Sequence, residues 1–517
     1  MQQQPVRVPA PKAWDETWDV VVVGCGYAGA MAAIAAHDQG ARVLILEKAG
    51  EPGGISVCSA GGVRIAEDAD QAFAYLVATN GGTAPEPVLR RLADGMTTAA
   101  STIDALADGF GATVGRRPAN ANYPLPGHRT FGFVYIDALD GFSAAETYPN
   151  VRGSPEGARL FRLLELNLKR RGVEVRCATP VSRLALADDG SVCGVWAGAG
   201  DAAISIRATG GVILACGGFE GAPDLQDQFW PLKPVLNAAY PHNTGDGIRL
   251  AQEAGAGLWH LWHFHGSYGF RHPDPDYPFG IRTKRVPDWL PGEGPPSEVR
   301  MPWILLDRDG KRFMNEYEPY LQDTGARPLG RFRPETQDYP ALPAWLLADE
   351  DGRCLYPFGR PTWHEAGVSY EWSADNSAEI DLGIFRQAND IDALAEGLGV
   401  PVRSLTKTIE RWNRACERAG DSDFARPPTS MMPIRRPPFI YGQIWPIVSN
   451  TQGGPVHDAE QRVLHSFGAP IPGLYAAGEC GSVFGHLYMS GGNLAECFVG
   501  GEFAGRAAAA RAKGKPA

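Results

Sequence analysis

Gly24-Cys25-Gly26-Tyr27-Ala28-Gly29, with Glu47 coming 21 residues after Gly26, has residue types and a spacing suited to holding a dinucleotide. Gly24 permits a tight turn, Gly26 lets the backbone approach a pyrophosphate, and Gly29 lets a helix close on a strand. A helix starting at this turn meets the diphosphate with unpaired N–H groups and the positive end of its dipole. Glu47 would accept from a ribose hydroxyl, which disfavours a 2′-phosphate. For these groups to meet, the chain must supply strand, helix and strand in that order. Val20 to Val23 is a continuous β-branched run, the pattern of a central parallel strand buried on both faces. Ala30 to Gln39 is Ala-rich and helical in pattern, Gly40 closes it, and Arg42 to Leu46 is a second strand leading into Glu47.

Pro52-Gly53-Gly54 and then Ser59-Ala60-Gly61-Gly62 follow that acid. In a nicotinamide-binding domain the second strand would feed another crossover helix. Two glycine pairs instead predict backbone lying flat against a long, rigid ligand. Here the chain resembles the FAD-dependent fumarate reductase and succinate dehydrogenase flavoprotein superfamily, which carries a glycine pair and a small-residue segment after the same acid. Thr209 to Phe219 is similar to the superfamily's strand and Gly-Gly turn, and Pro472-Gly473-Leu474-Tyr475-Ala476-Ala477-Gly478-Glu479 to its late FAD motif.

The resemblance implies FAD as cofactor. It carries the adjoining Lys48 into the binding set, along with Ala215, Cys216, Gly217 and Gly478. It places Val181 against the adenine through its backbone and Glu479 on the ribityl chain. Gly491, Gly492, Asn493 and Leu494 would open a helix whose amides face the flavin's pyrimidine edge, where they stabilise negative charge. No His stands in 53–62, where covalently flavinylated members carry one, so the FAD is expected to be non-covalent. The implied fold is α/β: a Rossmann-like FAD-binding domain of the glutathione reductase type, discontinuous over 14–221 and 430–517. An α+β capping (substrate) domain is inserted at 222–429, where more than half of the prolines lie. A helical insertion is expected at about 64–150, where Val88, Leu89, Leu92, Met96, Ile103 and Leu106 recur at helical spacing.

Lys311-Arg312-Phe313-Met314-Asn315-Glu316 resembles the fumarate reductases' Arg-Phe-x-Asn-Glu segment, in which an Arg four residues after the Glu delivers a proton. Here that position is Tyr320, with Tyr317 as the other phenol a small loop shift could align. Met489 stands where those enzymes clamp a substrate carboxylate with Arg. Both departures argue against fumarate reduction. The hydroxyls of Tyr320, Tyr488 and Ser490 resemble the 3-ketosteroid dehydrogenases, particularly the 4-ene-forming, 3-oxo-5alpha-steroid 4-dehydrogenase type.

The implied activity is an FAD-dependent oxidoreductase acting on CH-CH groups, desaturating the bond next to a ketone of a hydrophobic cyclic substrate. Tyr488 with the amide of Gly491 or Gly492 would stabilise the enolate. Tyr320 would take the α-proton, with Ser490 as relay or alternative base, because a free phenol with a pKa of about 10 is a poor base at neutral pH. The alternative is an ene-reductase running the reverse reaction on an activated double bond of a non-dicarboxylate substrate. Trp262, Phe264, Phe270 and Phe484 predict an apolar pocket. The histidines of Trp259 to His265 read as part of a cap strand lining it rather than as a metal site; His263, His265 and His486 are candidate substrate contacts.

Composition agrees. In 517 residues, 48 basic against 59 acidic side chains give a charge of −11, with no basic block for nucleic acid or anionic lipid. The nine cysteines are never closer than 16 residues, which excludes Cys-x-x-Cys metal and haem spacings. They read as free thiols in a reducing, cytoplasmic setting, and no apolar signal core precedes Trp14. The longest apolar run, 20–36, is short for a membrane span. The segments 24–29, 53–62, 210–221 and 478–505 hold 20 of the 63 glycines in 56 residues, a threefold concentration along the expected cofactor path. The expected partners are the hydrophobic substrate and an external electron acceptor or donor. With no second dinucleotide motif, that electron partner need not be a pyridine nucleotide.

Overall fold

The computed structural model describes residues 8–152, 155–200, 203–284, 300–318, 325–360 and 370–514, and shows a mixed α/β fold. The chain divides into two compact units, one of Met1–Phe229, His242–Phe264 and Asn450–Ala517, the other of Trp230–Pro241 and His265–Ser449. Both boundaries differ from the expected 222 and 430. Residues 242–264 go with the first unit because Leu250, Ala251, Ala254 and Ala256 pack into its core. Residues 430–449 go with the second because the strand Phe439–Thr451 runs through its sheet.

In the first unit, strand β1 (Glu16–Val23) lies between strand β2 (Val43–Leu46) and the strand Ile204–Leu214, parallel to both. Val23 pairs with Leu46 on one side and Leu214 on the other, so all three strands end beside the glycine turn. Glu174–Arg176 extends the sheet beyond β2, and Pro470–Ala476 pairs in parallel with Ile204–Leu214. Val20, Val21 and Val22 are fully buried, as a strand covered on both faces requires.

Helix α1 (Tyr27–Asp38) is buried from Tyr27 through Ala36. Its small side chains make this possible, because the helix Gly492–Ala512 lies directly against it. A Cβ on Gly501 would stand 2.5 Å from the Ala28 carbonyl oxygen, and one on Gly505 2.2 Å from that of Ala32. The two backbones therefore touch where each helix offers small residues four apart.

The helix expected after Pro87 is present as Glu86–Ala107, and its six marked apolar residues are all buried. The rest of the insertion corrects the expectation of an all-helical segment. Val63–Ala66, Phe131–Leu139 and Ala112–Pro118 form a three-stranded antiparallel sheet. Ala112–Pro118 is mostly exposed and ends in Arg116-Arg117-Pro118, so no alternation of buried apolar residues betrayed it.

The second unit holds an eight-stranded, largely antiparallel sheet in which Phe439–Thr451 pairs with Ala344–Ala348 and Phe385–Ala388. Phe270 is fully buried in its core against Trp372 and Phe385, so it does not line an open pocket. Glu316, with no exposure, receives two hydrogen bonds from Arg312 (2.9 and 2.7 Å) and one from the buried Arg426 (3.3 Å). No helix among the described residues is long and apolar enough to cross a membrane.

Candidate functional site

The glycine turn is built by contacts from three stretches of the first unit. Glu47 accepts from the Cys25 amide (2.9 Å) through one carboxylate oxygen and from the Ala49 amide (2.8 Å) through the other. It thereby fastens the turn to the end of β2, and a carboxylate's four acceptor sites leave capacity for a hydroxyl. The Gly53 amide donates to the Cys25 carbonyl (2.8 Å), which draws 53–56 onto the turn. Ser56 Oγ then accepts from the Tyr27 amide at 3.0 Å, and a Cβ on Gly26 would lie 3.0 Å from that same oxygen. Ala28 and Gly29 follow in the first turn of α1, where amides have no intrahelical partner. Gly24 could carry no side chain: its φ is +98°, and a Cβ would stand 2.5 Å from the Ala215 carbonyl oxygen. Lys48 is engaged elsewhere, donating to Thr244 and Asp246 at 2.7 Å each.

The glycine pairs after Glu47 serve close approach. Gly54 opens a short 3-10 turn, Gly54–Cys58. Ser59 Oγ meets the Tyr27 hydroxyl at 3.1 Å, and Ala60 is exposed. A Cβ on Gly61 would strike the Glu156 backbone at 2.5 Å, and one on Gly62 the Tyr135 ring at 2.6 Å. Val181 begins the hairpin strand Val181–Leu186, half-buried opposite Ala197.

Ala215, Cys216 and Gly217 leave the sheet beside Gly24 and lead to a pair of acids. Glu479 accepts from the Thr451 amide (2.7 Å) and hydroxyl (3.1 Å) through Oε1 alone, leaving Oε2 for another donor. Gly218 makes room for this: a Cβ there would lie 1.9 Å from Thr451 Oγ1 and 2.6 Å from Glu479 Oε1. Glu220, 1% exposed, accepts from Asn243 (2.8 Å) through Oε1, while its Oε2 has no partner. Burial, and then the Glu479 charge, push the Glu220 carboxyl well above its usual value; burial pushes Glu479 up to about 7. On the other flank of Glu479, Gly478 has φ +69° and packs on Ala28 and Cys497.

The helix Gly492–Ala512 begins from Gly491, whose φ of +73° suits only glycine here, because a Cβ would meet the Gly62 carbonyl oxygen at 2.5 Å and the Phe133 ring at 2.6 Å. The Gly492 amide donates to the Met489 carbonyl (2.8 Å). The Gly491 N–H, by contrast, carries no intramolecular hydrogen bond among the described residues. Asn493 and Leu494 supply the next amides of the helix, again in the unpaired first turn. Met489 is buried, while Tyr488 and Ser490 on either side stay half-exposed, although the segment is a loop rather than a strand.

Several neighbours were not legible in the sequence. Arg64 donates to the Ser490 carbonyl (2.8 Å), and Asn122 accepts from the Ser490 amide (2.7 Å). Glu496, 6% exposed, accepts from the Val483 amide at 2.6 Å, and burial pushes it up to about 8. The partner of Arg64 and Asn122 lies 426 and 368 positions away, so no local signal could have found them.

Other expected residues stand apart. Tyr320 lies outside the described residues. Tyr317 is 3% exposed and packs in the second unit's core. Trp259 to His265 is not one strand: Leu258–Trp259 ends, a turn follows with His260 at φ +28°, and a new strand starts at Phe264. His263 falls in the first unit and His265 in the second, where burial pushes His265 down to about 3. Among the described residues no group of three His, Cys, Asp or Glu could hold a metal. Trp262 is 42% exposed and rests on His486, Phe264 is half-buried, and Phe484 is buried beside Gly492.

The FAD binding domain family model matches residues 19–494. A 3-oxosteroid 1-dehydrogenase of Mycolicibacterium smegmatis is 28% identical over 565 residues, covering 92% of this chain and 94% of that protein. An NADH:fumarate oxidoreductase of Klebsiella pneumoniae is also 28% identical, over 98% of this chain, which spans only 48% of that relative's length. The solved 3-ketosteroid delta1-dehydrogenase of Sterolibacterium denitrificans has the same fold, with TM-score 0.78 at 23% identity over 97% of this chain and 100% of that one. FAD is the cofactor these matches indicate. The described residues fit it, with an uncommitted Glu479 oxygen, unpaired helix amides and glycine positions that no side chain could fill.

Proposed function

Because the chain belongs to the FAD binding domain family of FAD-dependent oxidoreductases, we propose that it desaturates the carbon–carbon bond next to a ketone of a hydrophobic cyclic substrate, a 3-ketosteroid being the first candidate. The single observation that carries this reading is the 488–491 segment. A buried Met489 occupies the place of a carboxylate clamp, while the Tyr488 hydroxyl and the uncommitted Gly491 amide supply two donors for one oxygen. The cofactor set supports a Rossmann-like domain of the glutathione reductase type with non-covalent FAD, and the second unit then serves as the cap.

FAD bound at this site would supply the hydride acceptor for the substrate's β-hydrogen. The chain's own part is to make the α-proton acidic. Tyr488 and Gly491 hold the ketone oxygen as it gains charge, a contribution of about 10²–10³ in rate per donor in comparable oxyanion sites. Ser490, half-buried like Tyr488, serves as base or relay, with Tyr320 as the first candidate for the terminal base. The 28% identity to a 3-oxosteroid 1-dehydrogenase over nearly its whole length supports the steroid class.

Anaerobic mixing of the purified yellow protein with saturated 3-keto steroids, simpler cyclic ketones, dicarboxylates and enones tests the reading. Bleaching of the flavin by a saturated cyclic ketone is the expected result. Reoxidation of pre-reduced protein by enones, with no bleaching by any saturated ketone, would overturn it and establish the reverse reaction.

A further inference from the structure

Arg64 is a buried cation with no counter-ion among the described residues. It lies on the strand Val63–Ala66 with 1% of its surface exposed, and among the described residues no carboxylate pairs with it. Its guanidinium donates from Nε to the Ser490 carbonyl (2.8 Å) and from Nη1 to the carbonyls of Ala119 (3.0 Å) and Asn120 (3.3 Å), and stacks on Phe133 at 3.8 Å. Its backbone amide donates to the Gly491 carbonyl at 3.2 Å. Nη2 makes no hydrogen bond among the described residues.

Burying such a charge costs several kcal/mol unless something offsets it. Three carbonyl dipoles and an aromatic face offset part. The titratable groups whose field reaches it are phenols: Tyr75 from the helix Ala69–Asn80, Tyr135 from the strand Phe131–Leu139, and Tyr488. Arg117, which lies over the Tyr135 ring, is bonded to Asp137 and adds no net charge. Burial pulls Arg64 down to about 10, which still leaves it charged at neutral pH. A fixed positive charge therefore sits behind the loop that carries Tyr488 and Gly491, and the same side chain grips that loop.

We propose that Arg64 is a positioning residue for the oxyanion site: it fixes the 488–491 loop through Ser490 and Gly491, and its unneutralised charge stabilises an anionic oxygen held by Tyr488 and the Gly491 amide. This rests on the reading of the site as a ketone-activating one. When the α C–H bond breaks, its electron pair moves onto the ketone oxygen and the proton passes to the base. The charge that appears on oxygen is the one Arg64 compensates, acting through the loop and in a dry surrounding where such an interaction is least screened.

The test uses the holoenzyme and a series of substituted phenols of graded acidity, whose bound anions mimic an enolate oxygen, read by the change in flavin absorbance. Wild-type affinity is expected to rise with phenol acidity. Arg64→Met should flatten that dependence, weakening the most acidic phenol by about tenfold or more, equivalent to about 1.4 kcal/mol, while the least acidic changes little. Arg64→Lys should restore part of the slope. Asn122→Ala, which loosens Ser490 but leaves the charge, should keep the slope and serves where Arg64→Met does not fold. An unchanged slope in Arg64→Met, an equal loss for every phenol, or a flattened slope in Asn122→Ala would each overturn the proposal. A selective loss of carboxylate-bearing ketones with the phenol slope intact would also overturn it, making Arg64 a reader of substrate charge. Failure of the underlying reading shows separately, as normal flavin reduction in Tyr488→Phe.

Discussion

The Glu316 carboxylate meets the Arg312 guanidinium edge to edge, Nε to Oε1 at 2.9 Å and Nη2 to Oε2 at 2.7 Å, with no exposure of the acid. Burial alone would raise the Glu316 carboxyl, but the Arg312 charge and hydrogen bonds, with Arg426 behind them, hold it below its ordinary 4.5. The Arg-Phe-x-Asn-Glu segment is thus tied down by its own first and last members.

Glu316→Gln should therefore destabilise the protein by about 3–5 kcal/mol, because it leaves the buried Arg426 without its carboxylate partner and Arg312 with Asp421 alone. Because the folded-state value is depressed, the stability this group supplies is present above about pH 4.5 and is lost as the pH falls through the lower folded value. Thermal unfolding between pH 3 and 7 checks both: the wild type loses stability with acid, and the variant shows less of that loss. A variant as stable as the wild type at pH 7 would contradict the structural role.

Tyr488→Phe should slow flavin reduction by a saturated cyclic ketone about 10²–10³-fold, the usual effect of removing one donor to a developing oxyanion. Stopped-flow absorbance under anaerobic conditions measures it. A rate within twofold of wild type would remove Tyr488 from the chemistry.

Glu479→Ala should weaken FAD retention about tenfold or more, since a charge-assisted hydrogen bond contributes about 1.5–3 kcal/mol. Gly218→Ala should act in the same direction without touching a charge, because its methyl group would displace Thr451 and Glu479. Flavin released on gel filtration, or Kd from fluorescence titration of the apoprotein, gives the comparison. Full retention in both variants would contradict the placement of the ribityl chain.

Glu496 predicts an alkaline effect. Its folded-state value is pushed up from 4.5 to about 8 by burial, so its contribution is fully present below pH 4.5 and is lost as the pH rises towards 8. The slope reaches at most about 1.4 kcal/mol per pH unit. Glu496→Gln, which keeps an acceptor for the Val483 amide, should gain stability relative to wild type between pH 5 and 9 in thermal unfolding. A constant difference across that range would show that Glu496 is not titrating there.

What the sequence disclosed was local. Gly24, Gly26, Gly29 and Glu47 announce their task because turn, helix and strand follow one another within one stretch. Glu479 and Gly491 stand in motifs of the same kind, which is why the sequence offers them as candidates. Arg64 was invisible because its partner Ser490 lies 426 positions away, and nothing around it distinguishes it from a surface arginine. Ser56, whose hydroxyl fixes the first amide of α1, is one of many serines until the chain folds back. The strand Ala112–Pro118 escaped because an exposed, arginine-rich edge carries no alternation. The domain boundaries slipped where a long strand and a short helix each join a core that local pattern does not name.

The crossing of α1 by Gly501 and Gly505 has a consequence for biogenesis. The glycine turn 24–29 is synthesised well before its cover: α1 packs against residues 492–512, and the strand Ile204–Leu214 gains its outer parallel neighbour only at 470–476. The pairing that buries α1 therefore closes only once residues 492–512 have been made. A chain cut short before residue 492 would leave the small-residue face of α1 uncovered and is expected to purify colourless.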